Sequence, residues 1–382
     1  MTTPLPAPAP TPPSARRKAP LWARALVVLA SVVMSLAAAE VVAGFARGHA
    51  FPYLNLYIED AVYGVRLEPD ASTNLRSRTG RVTSIRTNAR GFRGPDRAPA
   101  RGAVVPGRVM LLGDSQVMGY GVEEGDALAA RLEAELGPGH EVIDAATPTW
   151  GPPEYARVTA ELVPELRPEV VVFVANVAND WNEARVDNRL RTTARDGWAR
   201  ANIATDEPPT DFPGRRFLLG RSHLVYAVRA LFRSSSDHGS EVAMSPARVA
   251  ADLPWLMRAE PPHRSRLTPA LIEVRDTCAR WGCRVVVVGL PIDVQVHPAE
   301  WDKYRVPGVT PDGPPPDVGG TYRLIGQLMA DARDLGLAHL DLLPPLRAAS
   351  PGAFQVDDYH LSPAGHLAFA RALAPIVKDL SR

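Results

Sequence analysis

The stretch LLGDSQVMGYG, residues 111 to 121, places a hydroxyl group directly after an apolar run. Gly113 ends the run, and Asp114 and Ser115 follow at once. A nucleophilic serine needs an exposed hydroxyl on a tight turn with backbone N–H groups near the developing oxyanion, and a preceding glycine permits that approach. Ser115 is therefore the candidate nucleophile, with Gly113 and Asp114 in support. The alternative role of Ser115 is to cap a helix.

The stretch VDDYHLSPAGH, residues 356 to 366, supplies a candidate base and a candidate acid. Asp357 and His360 stand three positions apart in a short loop, just before the last predicted helix. This spacing lets one loop present both side chains toward the same place. An imidazole can take the serine proton, and a carboxylate can fix the tautomer of that imidazole. We therefore predict Asp357 as the partner of His360, and we expect Asp358 to point elsewhere and to be exposed.

Two candidate donors for an oxyanion follow other apolar runs. Gly151 precedes a Pro-Pro helix start, and its backbone N–H could face the turn that carries Ser115. Asn179 lies two residues after the run EVVVFVANV at 169–177. An asparagine amide at that place can donate to an oxyanion. Taken alone, the stretch at Gly151 favours a simple helix entry, and the stretch at Asn179 favours a polar turn.

The elements that must position these residues follow residue 107. The predicted strands are 108–113, 141–146, 169–177, 283–291 and 337–343. The predicted helices are 126–136, 152–166, 268–281, 321–336 and 362–380. Near-continuous apolar strands that alternate with helices predict a parallel sheet with helices on both faces. Ligands bind beyond the carboxyl ends of such strands, so we expect Ser115, Gly151 and Asn179 at one edge of the sheet.

The order of these residues resembles that of the SGNH, or GDSL-like, hydrolase superfamily over residues 108 to 380. The family's blocks fall on Gly113-Asp114-Ser115, Gly151, Asn179, and the pair Asp357 and His360. The resemblance implies an α/β fold, a three-layer α/β/α sandwich with a five-stranded, mostly parallel, flavodoxin-like sheet. It also implies a Ser115, His360 and Asp357 triad. The implied oxyanion hole consists of the Ser115 N–H, the Gly151 N–H and the Asn179 amide.

The chain departs from the family pattern at two positions. Gln116 follows the nucleophile where the family has leucine, and Val177 stands where the third block usually has glycine. No Gly-x-Ser-x-Gly elbow surrounds Ser115, which argues against an α/β-hydrolase.

Residues 1–20 are rich in proline and predict a disordered cytoplasmic tail. Residues 21–45 are long and apolar enough for a transmembrane anchor, and a basic cluster precedes them. The positive-inside rule then predicts that everything after residue 48 is extracytoplasmic, which means periplasmic in a Gram-negative cell. A signal peptide cleaved after the AAA at 37–39, leaving a secreted protein, is the alternative.

Three further regions complete the predicted organisation. Residues 46–106 predict a small β-hairpin region, and within it TNARGFRGPD resembles the membrane-anchored bacterial members of the family. Residues 107–382 predict the hydrolase-like domain. Its rhythm of strands and helices is interrupted by a predicted insertion at 181–263, which contains one helical stretch, FLLGRSHLVYAVRALF.

The composition excludes several functions. The net charge is +1, so no nucleic-acid partner is predicted. The nine histidines form no metal-binding motif, and no phosphate-binding glycine loop occurs, so neither a metal nor a cofactor is predicted. The two cysteines, Cys278 and Cys283, predict either a local disulfide in an oxidising compartment or two half-buried thiols.

Together these observations predict an extracytoplasmic serine esterase that acts on an O-acyl group, most simply O-acetyl. The expected partners are a small acyl ester or an acylated envelope or extracellular polysaccharide, and the membrane through the N-terminal helix. One alternative is an O-acetyltransferase in which a glycan hydroxyl replaces water. A binding or assembly module with a relict site, suggested by Val177 and the insertion, is the other.

Overall fold

A computed structural model gives the fold of the chain. It describes residues 20–77, 79–201, 212–232, 264–304, 319–356 and 358–381. The predicted disordered tail, apart from Pro20, therefore lies outside the described residues. So do two parts of the predicted insertion, residues 202–211 and 233–263.

The N-terminal part consists of one long helix and two hairpins. The elements are α1 (Leu21–Ala46), β1 (Tyr57–Asp60), β2 (Gly64–Leu67), β3 (Ser72–Arg76) and β4 (Val82–Arg86). Strand β1 pairs antiparallel with β2, and β3 with β4. Helix α1 is long and apolar enough to cross a membrane, and its most apolar window has a mean hydropathy of 2.4. A signal sequence has the same properties.

The rest of the chain alternates between strands and helices. Its strands are β5 (Val105–Gly113), β6 (Glu141–Ala146), β7 (Pro168–Asn176), β8 (Thr192–Arg195), β9 (Trp198–Ala201), β10 (Arg284–Leu290) and β11 (Ala338–Asp341). Its α-helices are α2 (Ser115–Met118), α3 (Leu128–Leu136), α4 (Pro152–Leu166), α5 (Asp180–Glu183), α6 (Asn188–Arg191), α7 (His223–Phe232), α8 (Thr268–Trp281), α9 (Asp293–Val296), α10 (Gly319–Asp334), α11 (Leu343–Ala348) and α12 (Pro363–Leu380). Short 3-10 turns lie at Glu124–Asp126 and Pro298–Tyr304, and a π-helical turn lies at Phe217–Arg221.

The predicted fold class is confirmed. Five strands form one parallel sheet in the order β11-β10-β7-β5-β6, and β8 and β9 form a separate antiparallel pair. Alternate residues of β5 enter two different cores, because successive side chains of a strand point to opposite faces. Val109 and Leu111 pack with α3 and α12, whereas Met110 and Leu112 pack with α4 and α8. Each face of the sheet is thus covered by helices, which gives three layers.

One local feature differs from the sequence prediction, and another decides between two predicted alternatives. The helical stretch predicted from FLLGRSHLVYAVRALF is interrupted at Ser222, which is extended and separates the π-helical turn from α7. Cys278 and Cys283 form a disulfide across the carboxyl end of α8. Gly282 caps that helix in the left-handed region, at a φ of 83°, where glycine has no Cβ penalty.

Arg93, from the stretch TNARGFRGPD, ties the N-terminal hairpins to the main domain. It is 2% exposed, and its guanidinium donates to the carbonyls of Gly119 and Val122 at 2.6 Å each and to that of Met118 at 3.2 Å. It also donates to the Ser84 carbonyl in β4 at 3.3 Å. One buried side chain therefore holds together a hairpin and the turn that follows α2.

We expect Arg93→Met to lower the free energy of unfolding by at least about 3 kcal/mol, because it leaves several buried carbonyl groups without donors. The matched control is Arg90→Met. Arg90 forms an exposed ion pair with Glu165, so its loss should cost less than about 1 kcal/mol. Urea unfolding followed by tryptophan fluorescence measures both. Equal effects of the two substitutions would contradict the proposed role of Arg93.

Candidate active site

The turn that carries Ser115 is fixed by its two predecessors. A Cβ at Gly113 would lie 2.2 Å from Cγ2 of Val117, so only glycine fits where β5 ends. Asp114 is 2% exposed, and its side chain accepts from the Gln116 N–H at 2.8 Å and from Nδ2 of Asn176 at 2.9 Å. Asp114 thus caps α2 and joins it to the end of β7, while Ser115 stays partly exposed at the first helical position.

Ser115 meets a histidine from the other end of the chain. Oγ of Ser115 lies 2.8 Å from Nε2 of His360, and Nδ1 of His360 lies 2.8 Å from Oδ1 of Asp358. The ring of Tyr120 stacks on the imidazole with 4.8 Å between centroids. This is the geometry in which an imidazole can remove a serine proton while a carboxylate fixes its tautomer.

The carboxylate in this line is Asp358, whereas the sequence analysis chose Asp357. The expectation that Asp358 points elsewhere and is exposed was wrong, because its side chain bonds His360 and only 28% of it is exposed. Its Oδ1 also accepts from the His360 backbone N–H at 3.3 Å, which is an Asx turn over two residues. Asp357 itself lies outside the described residues.

The charge of Asp358 is favoured by its surroundings. Burial raises the pKa of this carboxyl, but the imidazole of His360 and the backbone N–H groups of His360 and Tyr359 outweigh burial, so the pKa lies below its usual value. Asp358 is therefore an anion at neutral pH. It can stabilise the imidazolium that forms when His360 takes the serine proton.

Gln116, a departure from the family pattern, holds the histidine loop against the nucleophile turn. Its Nε2 donates to the Tyr359 carbonyl at 3.0 Å, and its Oε1 accepts from the Leu361 N–H at 2.9 Å. These two groups flank His360, and Gln116 is 3% exposed. The amide thus acts as a two-point clamp between residue 116 and the loop at 359–361. Sequence analysis registered the glutamine only as a departure.

Gly151 and Asn179 both lie next to Glu183. A Cβ added to Gly151 would be 2.6 Å from Cβ of Glu183, and Oε2 of Glu183 accepts from Nδ2 of Asn179 at 2.7 Å. The structure therefore brings together these two residues, which come from separate stretches of sequence.

Both predicted donors are already engaged by carboxylates. The Gly151 N–H donates to Oε2 of Glu154 at 3.0 Å, so the glutamate at the third helical position caps the start of α4. The Asn179 amide nitrogen carries two hydrogens, so one remains after Glu183 has taken the other. The N–H of Ser115 begins α2 and has no partner inside that helix. Of the three predicted oxyanion donors, the Ser115 N–H and the second hydrogen of Asn179 are not engaged by these carboxylates.

The two carboxylates share one arginine. Nη1 of Arg191 lies 2.9 Å from Oε1 of Glu183, and its Nη2 lies 3.3 Å from Oε2 of Glu154. Burial raises the pKa of Glu183 to about 7, with Arg191 and Asn179 opposing and Asp114 and Glu154 reinforcing the rise. Glu183 can therefore change its charge near neutral pH, next to a predicted oxyanion donor.

Sequence analysis missed both glutamates. Glu154 carried a partial signal, because a glutamate at the third position of a helix can accept from the backbone N–H of the N-cap residue. Glu183 carried none, because its role depends on contact with Gly151 from another segment. Val177, the second departure from the family pattern, is fully buried and donates its N–H to the Leu290 carbonyl at 3.1 Å. Val177 therefore packs in the core beside the sheet.

No metal site is found among the described residues, because they contain no group of three or more histidine, cysteine, aspartate or glutamate side chains placed to hold an ion.

No protein-family model matches the chain, and no curated protein matches it. Some solved structures are similar over most of their length. A carbohydrate acetylesterase family member from Sinorhizobium meliloti is 14% identical, covers 72% of this chain and 98% of its own, and has a TM-score of 0.37. A GDSL-like lipase from Bacteroides thetaiotaomicron is 10% identical, with 72% and 88% covered and a TM-score of 0.36. TesA is 14% identical, with 72% and 99% covered and a TM-score of 0.37. Similarity at this level carries no argument about chemistry, which rests on the contacts above.

We expect Gln116→Leu to slow acylation of Ser115 by about 10- to 100-fold, because the loop that holds His360 loses both contacts to the nucleophile turn. The rate of labelling by a fluorophosphonate measures this step. Thermal unfolding of the same variant shows how much of the effect comes from lost stability. Labelling at the wild-type rate would show that the clamp does not position His360.

The charge of Glu183 predicts a pH dependence. Above pH 7 the Glu183 carboxylate becomes negative and opposes an oxyanion nearby. The acylation rate of the wild type should therefore fall by about tenfold between pH 7 and pH 9. Glu183→Gln keeps an acceptor for Asn179 without the charge, and its rate should stay flat over this range. The pH profile of fluorophosphonate labelling compares the two. The same fall in both proteins would remove Glu183 from the explanation.

Proposed function

We propose that the chain is a serine esterase of the SGNH type, with Ser115 as nucleophile, His360 as base and Asp358 as the residue that orients His360. The observation that carries this proposal is the continuous line of two 2.8 Å contacts from Ser115 through the imidazole to Asp358. A serine that only caps a helix needs no histidine at its oxygen, and a structural histidine needs no serine at the far nitrogen.

The proposed reaction begins when His360 takes the proton of Ser115 as Oγ attacks the ester carbonyl. The tetrahedral oxyanion forms against the Ser115 N–H and the free hydrogen of the Asn179 amide. His360 then returns its proton to the leaving alcohol, and the acyl group remains on Ser115. Water, activated by His360 in the same way, releases the acid and restores the serine.

The Gly151 N–H enters the oxyanion hole only if it leaves Glu154, because the two are bonded at 3.0 Å in this structure. We therefore assign it a smaller role than the sequence comparison implies. The engagement of Gly151 and Asn179 by carboxylates is also the observation that supports the second candidate function, a binding module with a relict site.

The proposed location is extracytoplasmic, with α1 as an anchor. Helix α1 is apolar, stands near the N-terminus and follows the basic cluster at residues 16–18. The disulfide between Cys278 and Cys283 supports export, because such bonds persist in oxidising compartments. An anchored site would face the cell envelope, so we extend the proposal to O-acetyl groups on envelope or extracellular polysaccharide.

Hydrolysis of p-nitrophenyl acetate tests the proposal. We expect Ser115→Ala and His360→Ala each to lower kcat/KM by at least about 1000-fold. Equal rates of hydrolysis by the wild type and both variants would support the binding module instead.

The two aspartates of the loop form a matched pair for the third role. Asp358→Asn should lower kcat/KM by about 100-fold or more, because the imidazole loses both its orientation and the charge that stabilises its protonated form. Asp357→Asn should stay within about threefold of the wild type. The reverse ranking in the same assay would return the role to Asp357, as the family spacing implies.

A further inference from the structure

The segment 212–232 of the predicted insertion is attached to the apolar helix α1. The carboxylate of Glu40, near the end of α1, accepts from Oγ of Ser222 at 2.6 Å and from the N–H groups of His223 and Leu224 at 2.7 Å and 3.0 Å. Glu40 therefore caps the first turn of α7. A carboxylate at a helix N-terminus is favoured by the helix dipole.

The position of Glu40 in α1 sets the height of this contact. About 20 helical residues span the hydrocarbon core of a bilayer, so a span that begins at Leu21 ends close to Glu40. A carboxylate at that depth needs partners, and the polar partners of Glu40 come from the start of α7. If α1 crosses a membrane, the first turn of α7 lies at the boundary between hydrocarbon and headgroups.

Aromatic side chains surround the same boundary. The ring of Phe51 stacks on His223 at 4.4 Å and meets Trp198 and Tyr226 edge-on, and the guanidinium of Arg47 lies 4.6 Å above the Tyr226 ring. Arg47 and Phe51 follow directly after α1, where the chain would leave the bilayer, whereas Trp198 belongs to β9 and Tyr226 to α7. Phe51 and Trp198 are buried, so the cluster packs α7 and β9 against the end of α1.

The charged side chains of the segment bond the folded domain. Arg215 pairs with Asp196, and Arg216 and Arg221 both pair with Glu68. Nδ2 of buried Asn55 donates to the Gly220 carbonyl at 2.7 Å. These contacts hold the segment firmly against the N-terminal hairpins, so it is part of the domain surface.

The apolar side chains of the segment remain exposed. Leu231 is 81% exposed and Val228 is 44% exposed, and they follow Leu224 at helical spacing, so all three lie on one face of α7. That face begins in the first turn of α7, which Glu40 of α1 caps. Phe217, at 64%, adds exposed apolar surface in the preceding turn.

We propose that segment 212–232 is a membrane-surface element whose occupant is the lipid of the outer face of the bilayer. Helix α7 lies in the headgroup region beside α1, with Val228 and Leu231 directed into lipid. The inference rests on the proposed membrane anchoring and goes beyond it. A second contact with the bilayer, tied to the hairpins by Arg216 and Arg221, fixes the orientation of the catalytic domain, which a single helix alone would leave free to turn.

Quenching by nitroxide-labelled lipids tests this in the full chain in nanodiscs. Single cysteines carrying a bimane fluorophore are placed by Leu231→Cys, Val228→Cys, Val33→Cys and Asp334→Cys. Val33, in the middle of α1, reports on the anchor, and Asp334 is an exposed charged residue at the end of α10. We expect the labels at 231, 228 and 33 each to lose at least about half of their fluorescence and the label at 334 to lose little.

The outcomes separate the two proposals. Quenching at 33 without quenching at 228 and 231 leaves the anchor standing and overturns the membrane-surface element. No quenching at 33 overturns the anchor and, with it, the element. If 228 and 231 are shielded from iodide in water but are not quenched by the labelled lipids, a protein covers this face, which also contradicts the proposal.

Discussion

The hydrogen bond between Ser115 and His360 joins residues 245 positions apart, and the proposed proton transfer requires this contact. Proton transfer tolerates only a few tenths of an ångström of misplacement, so both ends must be held by rigid neighbours. On one side the glycine at 113 and the cap by Asp114 fix the nucleophile turn. On the other side the Asx turn of Asp358 fixes the imidazole. Gln116 then connects the two sides directly, so the glutamine at this position has a structural role in the site.

The same edge of the sheet holds two carboxyl groups in contact with the predicted oxyanion donors. Glu154 and Glu183 occupy the predicted oxyanion donors Gly151 and Asn179, and Arg191 offsets both. A site that must stabilise an oxyanion is disfavoured by carboxylates alongside it, unless they are neutral or paired. The raised pKa of Glu183 satisfies this condition up to about neutral pH, and the ion pair with Arg191 only reduces the repulsion once Glu183 is charged. Charge balance at Glu183 therefore decides whether the geometry around Ser115 can be used.

Much of this architecture could be predicted from the sequence, because it depends on local periodicity. Buried parallel strands give continuous apolar runs, and the five predicted strands and their helices match the sheet to within a few residues. The choice between Asp357 and Asp358 could not be settled in this way, because it depends on the φ and ψ angles of one loop. Glu183 could not be found either, since its partners come from separate elements. For the choice between the two aspartates, the sequence offered one signal: aspartate commonly accepts from the N–H two residues on, which favours Asp358 as the neighbour of His360.

The central claim is that Ser115 is an activated nucleophile, and the intact mass of the protein after exposure to a fluorophosphonate tests it without knowledge of the substrate. The account predicts one adduct on the wild-type chain, and none on Ser115→Ala or His360→Ala. Absence of any adduct on a folded wild-type chain, or an adduct that persists in Ser115→Ala, would contradict it.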